Sequence, residues 1–321
     1  MKALVPATLI ALSCILPSHA TAATPSISQG LGTTTVESLF DCEGARRARP
    51  STVGEVSSSD GKTWITPATN NFLNGPKASD LYNDCSGIRL PNIDALDIES
   101  VPIVEIDSAG EVFTGYLFAD NYFELYVNGT LVAVDPVPFT PFNSCVVRFK
   151  AKHPITYAVK LIDWEESPGI GTESGRGNPY HPGDGGFAAS FSDGTVTNAD
   201  WKAQTFYIAP VPDPSLVIQR PDGTRDSSSA PRSPDNAPEC YALHYEIPDN
   251  WASPDFNDSS WPQASVFTNE TVGVRNKPSY MNFTDQFIDA GATFIWSSNL
   301  VLDNEVLVRF TQRRSRAAAG K

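Results

Sequence analysis

Phe118-Ala-Asp-Asn-Tyr122-Phe-Glu-Leu-Tyr-Val127-Asn128-Gly129-Thr-Leu131-Val-Ala-Val134 is the stretch on which the fold class turns. Two runs rich in β-branched and aromatic residues flank an Asn-Gly pair. A two-residue hairpin loop of the twist-compatible kind needs positive φ at both positions, and Asn and Gly reach it at least cost. The stretch therefore predicts a β-hairpin. Working outward, Glu111 to Phe118 reads as a strand before it, and Cys145 to Lys150 and Thr156 to Asp163 as two after a Pro-broken loop. Val101 to Asp107 lies upstream. Phe187 to Phe191 and Ala203 to Ile208 flank the turn at Asp193-Gly194. Tyr241 to Ile247, Thr293 to Trp296 and Glu305 to Phe310 close the series. No fifteen-residue window carries a helical period free of Pro and Gly. Short strands with punctuating turns predict an all-β chain: an antiparallel β-sandwich or jelly roll with long irregular loops.

The chain opens with Lys2, an apolar run from Ala3 to Leu16, and small residues at Ser18-His19-Ala20 and Ala20-Thr21-Ala22. That is the layout of a secretory signal peptide over residues 1–22. The run is shorter than the roughly 20 residues of a membrane span, and no later segment reaches that length. A secreted chain is expected, extracellular or, in a bacterial host, periplasmic. Cys14 leaves with the leader. Cys42, Cys85, Cys145 and Cys240 remain, and an even number in an exported chain predicts two disulfides. Three pairings are open; Cys42–Cys85 with Cys145–Cys240 is the simplest. Zinc would need closely spaced cysteines, which are lacking. Four sequons, at Asn128, Asn257, Asn269 and Asn282, would make a glycoprotein in a glycosylating host.

With 40% hydrophobic residues the chain is too apolar to be disordered. Its net charge of −14 repels phosphate backbones and sets nucleic acid aside as a partner. Residues 23–62 read as linker and irregular segment, 63–310 as the sandwich, and 311–321 as a basic tail. A Pro- and Ser-rich stretch at 209–238 leaves open whether the sandwich is one unit or two, 63–208 and 239–310.

Two motifs resemble the galactose-binding-like jelly rolls attached to many glycosidases. One is the hairpin segment Phe118 to Gly129. The other is Trp251 with Asp255-Phe256-Asn257-Asp258-Ser259-Ser260-Trp261-Pro262-Gln263-Ala264, continued by Phe294-Ile295-Trp296 and Asp303 to Arg309. The resemblance implies that the two Trp and Phe256 fill the sandwich core near one edge, with Asp258-Ser259 shaping a tight turn. It also implies a carbohydrate ligand. In that group the Trp motif precedes the hairpin; here it follows it.

The loop from Trp164 to Gly186 is long enough to be functional. It supplies aromatic faces and polar groups of the kinds a sugar needs: Trp164, Glu165, Glu166, Arg176, Tyr180, His181 and Asp184. Asp163, Glu165 and Glu166 around Trp164 also suggest a carboxylate hydrolase. A Ser-His-Asp triad lacks its Gly-x-Ser-x-Gly elbow. For metal, turns bearing Asp84, Asp94, Asp97, Asp184, Asp193 and Asp200 could hold a structural calcium, and His153, His181 and His244 are candidate copper ligands. The leading expectation is a secreted, non-catalytic protein that binds carbohydrate or another extracellular surface. An exported calcium or copper protein and an extracellular hydrolase are the alternatives.

Overall fold

The computed structural model describes residues 23–42, 49–140, 142–175 and 177–313. The leader, Arg46-Arg47-Ala48, Arg176 and the tail from Arg314 lie outside the described residues. In chain order the strands are β1 (Ser26–Gln29), β2 (Thr33–Val36), β3 (Val53–Ser57), β4 (Thr63–Thr66), β5 (Ser79–Asn83), β6 (Ile88–Arg89) and β7 (Ile103–Glu105). Then come β8 (Glu111–Asp120), β9 (Tyr122–Val127), β10 (Thr130–Val134), β11 (Asn143–Ala151) and β12 (Ile155–Ile162). The long loop carries β13 (Glu173–Gly175) and β14 (Asn178–His181), followed by β15 (Gly186–Phe191) and β16 (Lys202–Val211). The remainder holds β17 (Ile218–Gln219), β18 (Arg225–Asp226), β19 (Tyr241–His244), β20 (Ser265–Phe267), β21 (Phe294–Trp296) and β22 (Asp303–Gln312). One helical turn, Pro278–Met281, and a few 3-10 turns are the helical content among the described residues.

Two sheets form the body. The first runs β1-β19-β16-β22-β12-β9-β10, and the second β20-β21-β15-β8-β11-β5-β6, with β7 alongside β11. Every pairing within them is antiparallel except β7 with β11. Strands from the last third of the chain therefore lie inside the same two sheets as strands from its middle. Val127 pairs with Thr130 around Asn128-Gly129, and both loop residues have positive φ, 50° and 81°. The Asn128 carboxamide adds a bond from the Thr156 amide at 2.8 Å, which fixes the hairpin to β12.

The sheets face each other across one apolar core. Tyr157 of β12 meets Phe191 of β15 at 4.1 Å between ring centroids, and Phe149 of β11 at 6.2 Å. β12 is buried on both faces. Ile155, Tyr157, Val159 and Leu161 point into the shared core. Ala158 packs instead in a second cluster with Phe206, Leu243, Tyr245, Trp251, Trp261 and Leu307, on the outer face of the first sheet.

That second layer corrects one expectation. The Trp251–Trp261 motif does not fill the core between the sheets; it covers the first sheet from outside. Arg309 of β22, 1% exposed, secures it. Its Nε donates to Asp258 Oδ2 at 2.9 Å, its Nη2 to the Ser253 carbonyl at 3.1 Å, and its Nη1 to the Trp251 carbonyl. The guanidinium also lies over the Phe256 ring.

Cys42 and Cys85 are joined, with Cα atoms 5.2 Å apart. The second expected bridge does not form: Cys145 and Cys240 are free and buried. Cys145 lies in the shared core on β11, in the middle of the second sheet, whereas Cys240 precedes β19 near the edge of the first. The segment expected to be a linker also differs. β1 pairs with β19 as an edge strand, and β2, β3 and β4 form a small sheet of their own. The region read as a basic tail begins within β22, which extends to Gln312.

Candidate functional site

The long loop folds back on itself and uses most of its polar groups to do so. Trp164 stands two residues past the end of β12 and is 1% exposed. Its indole N–H donates to the Thr52 carbonyl at 3.0 Å, and its ring meets Tyr122 edge-on. It is a core residue, and its face is not open to a sugar. Glu165 is buried too. It accepts the Gly169 amide at 3.0 Å, the Gly171 amide and the Tyr207 hydroxyl, so it closes the turn at 165–171. Burial pushes its carboxyl up to about 8, against those donors. Glu166 accepts the Ser174 amide at 3.1 Å and its hydroxyl, and lies 3.7 Å from Arg49. His181 stands on β14 beside Glu173, whose carbonyl is 3.0 Å from Nδ1. Tyr180 is partly exposed on the same strand.

Asp184 belongs to a different group. Asp120 ends β8, Asp163 follows β12, and Asp184 precedes β15, so three strand ends bring three carboxylates into mutual repulsion. Asp120 and Asp163 are 4% and 5% exposed. Desolvation raises both well above the carboxylate range; Asp184 raises Asp120 further, Asp120 and Asp184 raise Asp163 further, and Arg49 only partly offsets this. The Asp163 carboxylate lies against the backbone of Gly183, where a Cβ would come within 2.9 Å of Oδ1. Composition could not single this group out, because the three residues are far apart in sequence.

The histidines do not converge. His153 precedes β12 while the loop bearing His181 follows its other end. His153 faces Asp193 at 3.9 Å and Phe113, and His244 is stacked between Trp64 and Tyr207. Burial lowers His244 to about 4, and Ser28 Oγ bonds its Nε2 at 2.8 Å. Among the described residues no three His, Cys, Asp or Glu side chains are arranged to hold a metal ion. Several of the turn aspartates have other partners: Asp84 pairs with Arg89, Asp97 accepts the Glu99 amide, and Asp193 takes the Tyr157 hydroxyl and the Thr195 amide.

A cleft of about 770 Å³ opens on the outer face of the first sheet, a place the sequence does not flag. Lys62, Thr63, Trp64 and Ile65 line one side, and Tyr245, Ile247, Pro248 and Trp251 line the other. Thr69, Lys160 and Glu305 lie between them. Lys160 and Glu305 project from neighbouring strands β12 and β22, 7% and 8% exposed, with Nζ and Oε1 3.4 Å apart. Lys160 also donates to the Thr69 carbonyl at 2.8 Å. Among the described residues nothing donates a hydrogen bond to Glu305 Oε1. Burial raises its carboxyl, with Lys160 opposing. Across the mouth, Lys62 reaches Glu246 at 2.8 Å.

No family model, curated protein or solved structure matches this chain. Among the described residues no helix is long and apolar enough to cross a membrane. The Cys42–Cys85 bridge suits an oxidising compartment.

Proposed function

We propose that this protein is an extracellular binding protein that recognises carbohydrate through the cleft beside Trp64. The observation that carries the reading is the pairing of aromatic sides with a buried Lys160–Glu305 pair in one concave site. A pyranose has an apolar face and a polar rim. The first is met by Trp64, Tyr245 and Trp251, and the second by the charged pair. Charges held buried on a sheet face are costly. A ligand that hydrogen-bonds to them gives that cost a use. The resemblance to galactose-binding-like jelly rolls points the same way at the level of the fold. The loop residues Tyr180 and His181 lie on a separate hairpin, so on this reading Tyr180→Ala leaves binding unchanged. Trp64→Ala loses glycan retention on an array while its melting temperature is followed as a control.

A second reading, an extracellular hydrolase, draws on one observation: Asp163 is nearly enclosed and sits beside Asp120 and Asp184. Such a group is suited to act as a general acid. On that reading Asp163→Asn abolishes hydrolysis of an aryl glycoside. Glu165→Gln leaves turnover in place, because the Glu165 carboxylate is taken up by the Gly169 and Gly171 amides and the Tyr207 hydroxyl.

A further inference from the structure

We infer that the Lys160–Glu305 pair sets the specificity of the cleft by reading two adjacent hydroxyls of an uncharged sugar. The inference rests on the carbohydrate reading of the same cleft and adds the chemical class of ligand. Three features carry it.

The first is the hydrogen-bonding capacity of the pair. Lys160 has three N–H donors. One goes to the Thr69 carbonyl, and another faces Glu305 at 3.4 Å without forming a good hydrogen bond. The Glu305 carboxylate, 8% exposed at the floor of the cleft, therefore keeps acceptor capacity beside a Lys160 donor. Neighbouring hydroxyls on a pyranose ring are similarly spaced. One can donate to Glu305 while the other accepts from Lys160, and neither has to disturb the ion pair.

The second is charge. Two cations, Lys62 and Lys160, and three anions, Glu246, Asp249 and Glu305, line the cleft. A chain with a net charge of −14 has here a nearly balanced patch. A uronate would meet Glu305 and an amino sugar would meet Lys160, each at close range in a desolvated site.

The third is the platform. One face of Trp64 is stacked on His244, with ring centroids 5.1 Å apart and planes at 15°, and His244 is stacked in turn on Tyr207. The Trp64 indole N–H is held by Ser58 Oγ at 3.2 Å. The ring is thus fixed before any ligand arrives, so stacking a sugar on it has little ordering cost.

The test titrates wild-type protein with uncharged methyl pyranosides, their monodeoxy analogues, and the corresponding uronates and amino sugars, by calorimetry at fixed salt. Glu305→Gln and Lys160→Met are titrated alongside, with circular dichroism to verify folding. Removing either of two adjacent hydroxyls is expected to weaken binding by about 10- to 100-fold, the range of a hydrogen bond to a charged group. Glu305→Gln, which exchanges a charged acceptor for a neutral one, should reduce the difference between the parent sugar and the analogue lacking its donor hydroxyl. If uncharged sugars bind, and Trp64→Ala abolishes that binding, but every monodeoxy analogue binds as well as its parent, the pair does not read the ligand and this inference is overturned alone. Tighter binding of a uronate or amino sugar also overturns it. If no sugar binds wild-type protein, both the inference and the carbohydrate reading fall. The deoxy series needs no variant, so a misfolded Lys160→Met protein leaves the test intact.

Discussion

Arg309 shows how much one side chain holds in this molecule. It is almost fully enclosed and joins β22 to three points of the 251–258 segment. Removing one partner of a buried charged pair costs about 3–5 kcal/mol, less where the other partner can reach water, as Asp258 can. Arg309→Ala should therefore destabilise by about 2–4 kcal/mol. Urea unfolding would show a lower midpoint with an unchanged slope. Gly129 illustrates backbone rather than side-chain control. At φ 81° an added Cβ is disfavoured, and Gly129→Ala should cost about 1–2 kcal/mol by the same measurement. The Asn-Gly pair was legible in the sequence because the turn chemistry is local. Trp164 was not. An aromatic at the head of a Gly-rich loop looks like an exposed platform, yet its position two residues past β12 puts it into the core, where Thr52, more than a hundred residues earlier, takes its N–H.

Strands in the middle of the sheets could be read from their composition. β8, β9, β11, β12, β16 and β22 are runs of β-branched and aromatic residues, and each falls where its pattern predicts. The edges could not be read in this way. β1 is Ser-Ile-Ser-Gln, and its inward positions are serines rather than apolar residues. Ser26 donates to Asp60 and Ser28 bonds His244, so polar contacts do there what hydrophobic alternation does elsewhere. Cysteine parity failed for a related reason, since it counts sulfurs without placing them. Cys42–Cys85 closes a loop of sequence separation 43, and by loop-closure entropy it contributes about 4 kcal/mol. Reduction, or Cys42→Ser with Cys85→Ser, should lower the melting temperature accordingly. Thiol labelling of the mature chain should find two reactive sulfurs, Cys145 and Cys240, and only after unfolding. Four free sulfurs, or none, would contradict the pairing described here.

At the scale of the whole molecule, the buried carboxylates give stability a distinctive pH dependence. Burial raises Asp120, Asp163, Asp184 and Glu165 above their unfolded values, Glu165 to about 8, and Asp303 to about 6. A raised carboxyl means that the folded chain keeps a proton the unfolded chain has released. Its contribution is complete below the unfolded value and is lost as pH rises through the folded one. His244 acts in the opposite sense, because its folded value of about 4 lies below the ordinary 6.5. Above about pH 6.5 it is neutral in both states, so the carboxylates act there without it. Calorimetry should show the melting temperature falling between about pH 6.5 and 8.5, with a smaller fall in Glu165→Gln. A melting temperature that rises across that interval would contradict these assignments.

The overall architecture could be anticipated, but the cleft could not. Its sides come from β4 and from the segment after β19, more than 170 residues apart, and it exists only because a second layer covers the first sheet incompletely. Whether that cleft holds a sugar is the question most directly open to measurement. A glycan array probed with the mature protein, beside Trp64→Ala of equal melting temperature, addresses it. Selective retention of uncharged glycans by the wild type and its loss in the variant is the outcome predicted here. An array that stays blank with intact protein, or retention that survives the loss of Trp64, would contradict it.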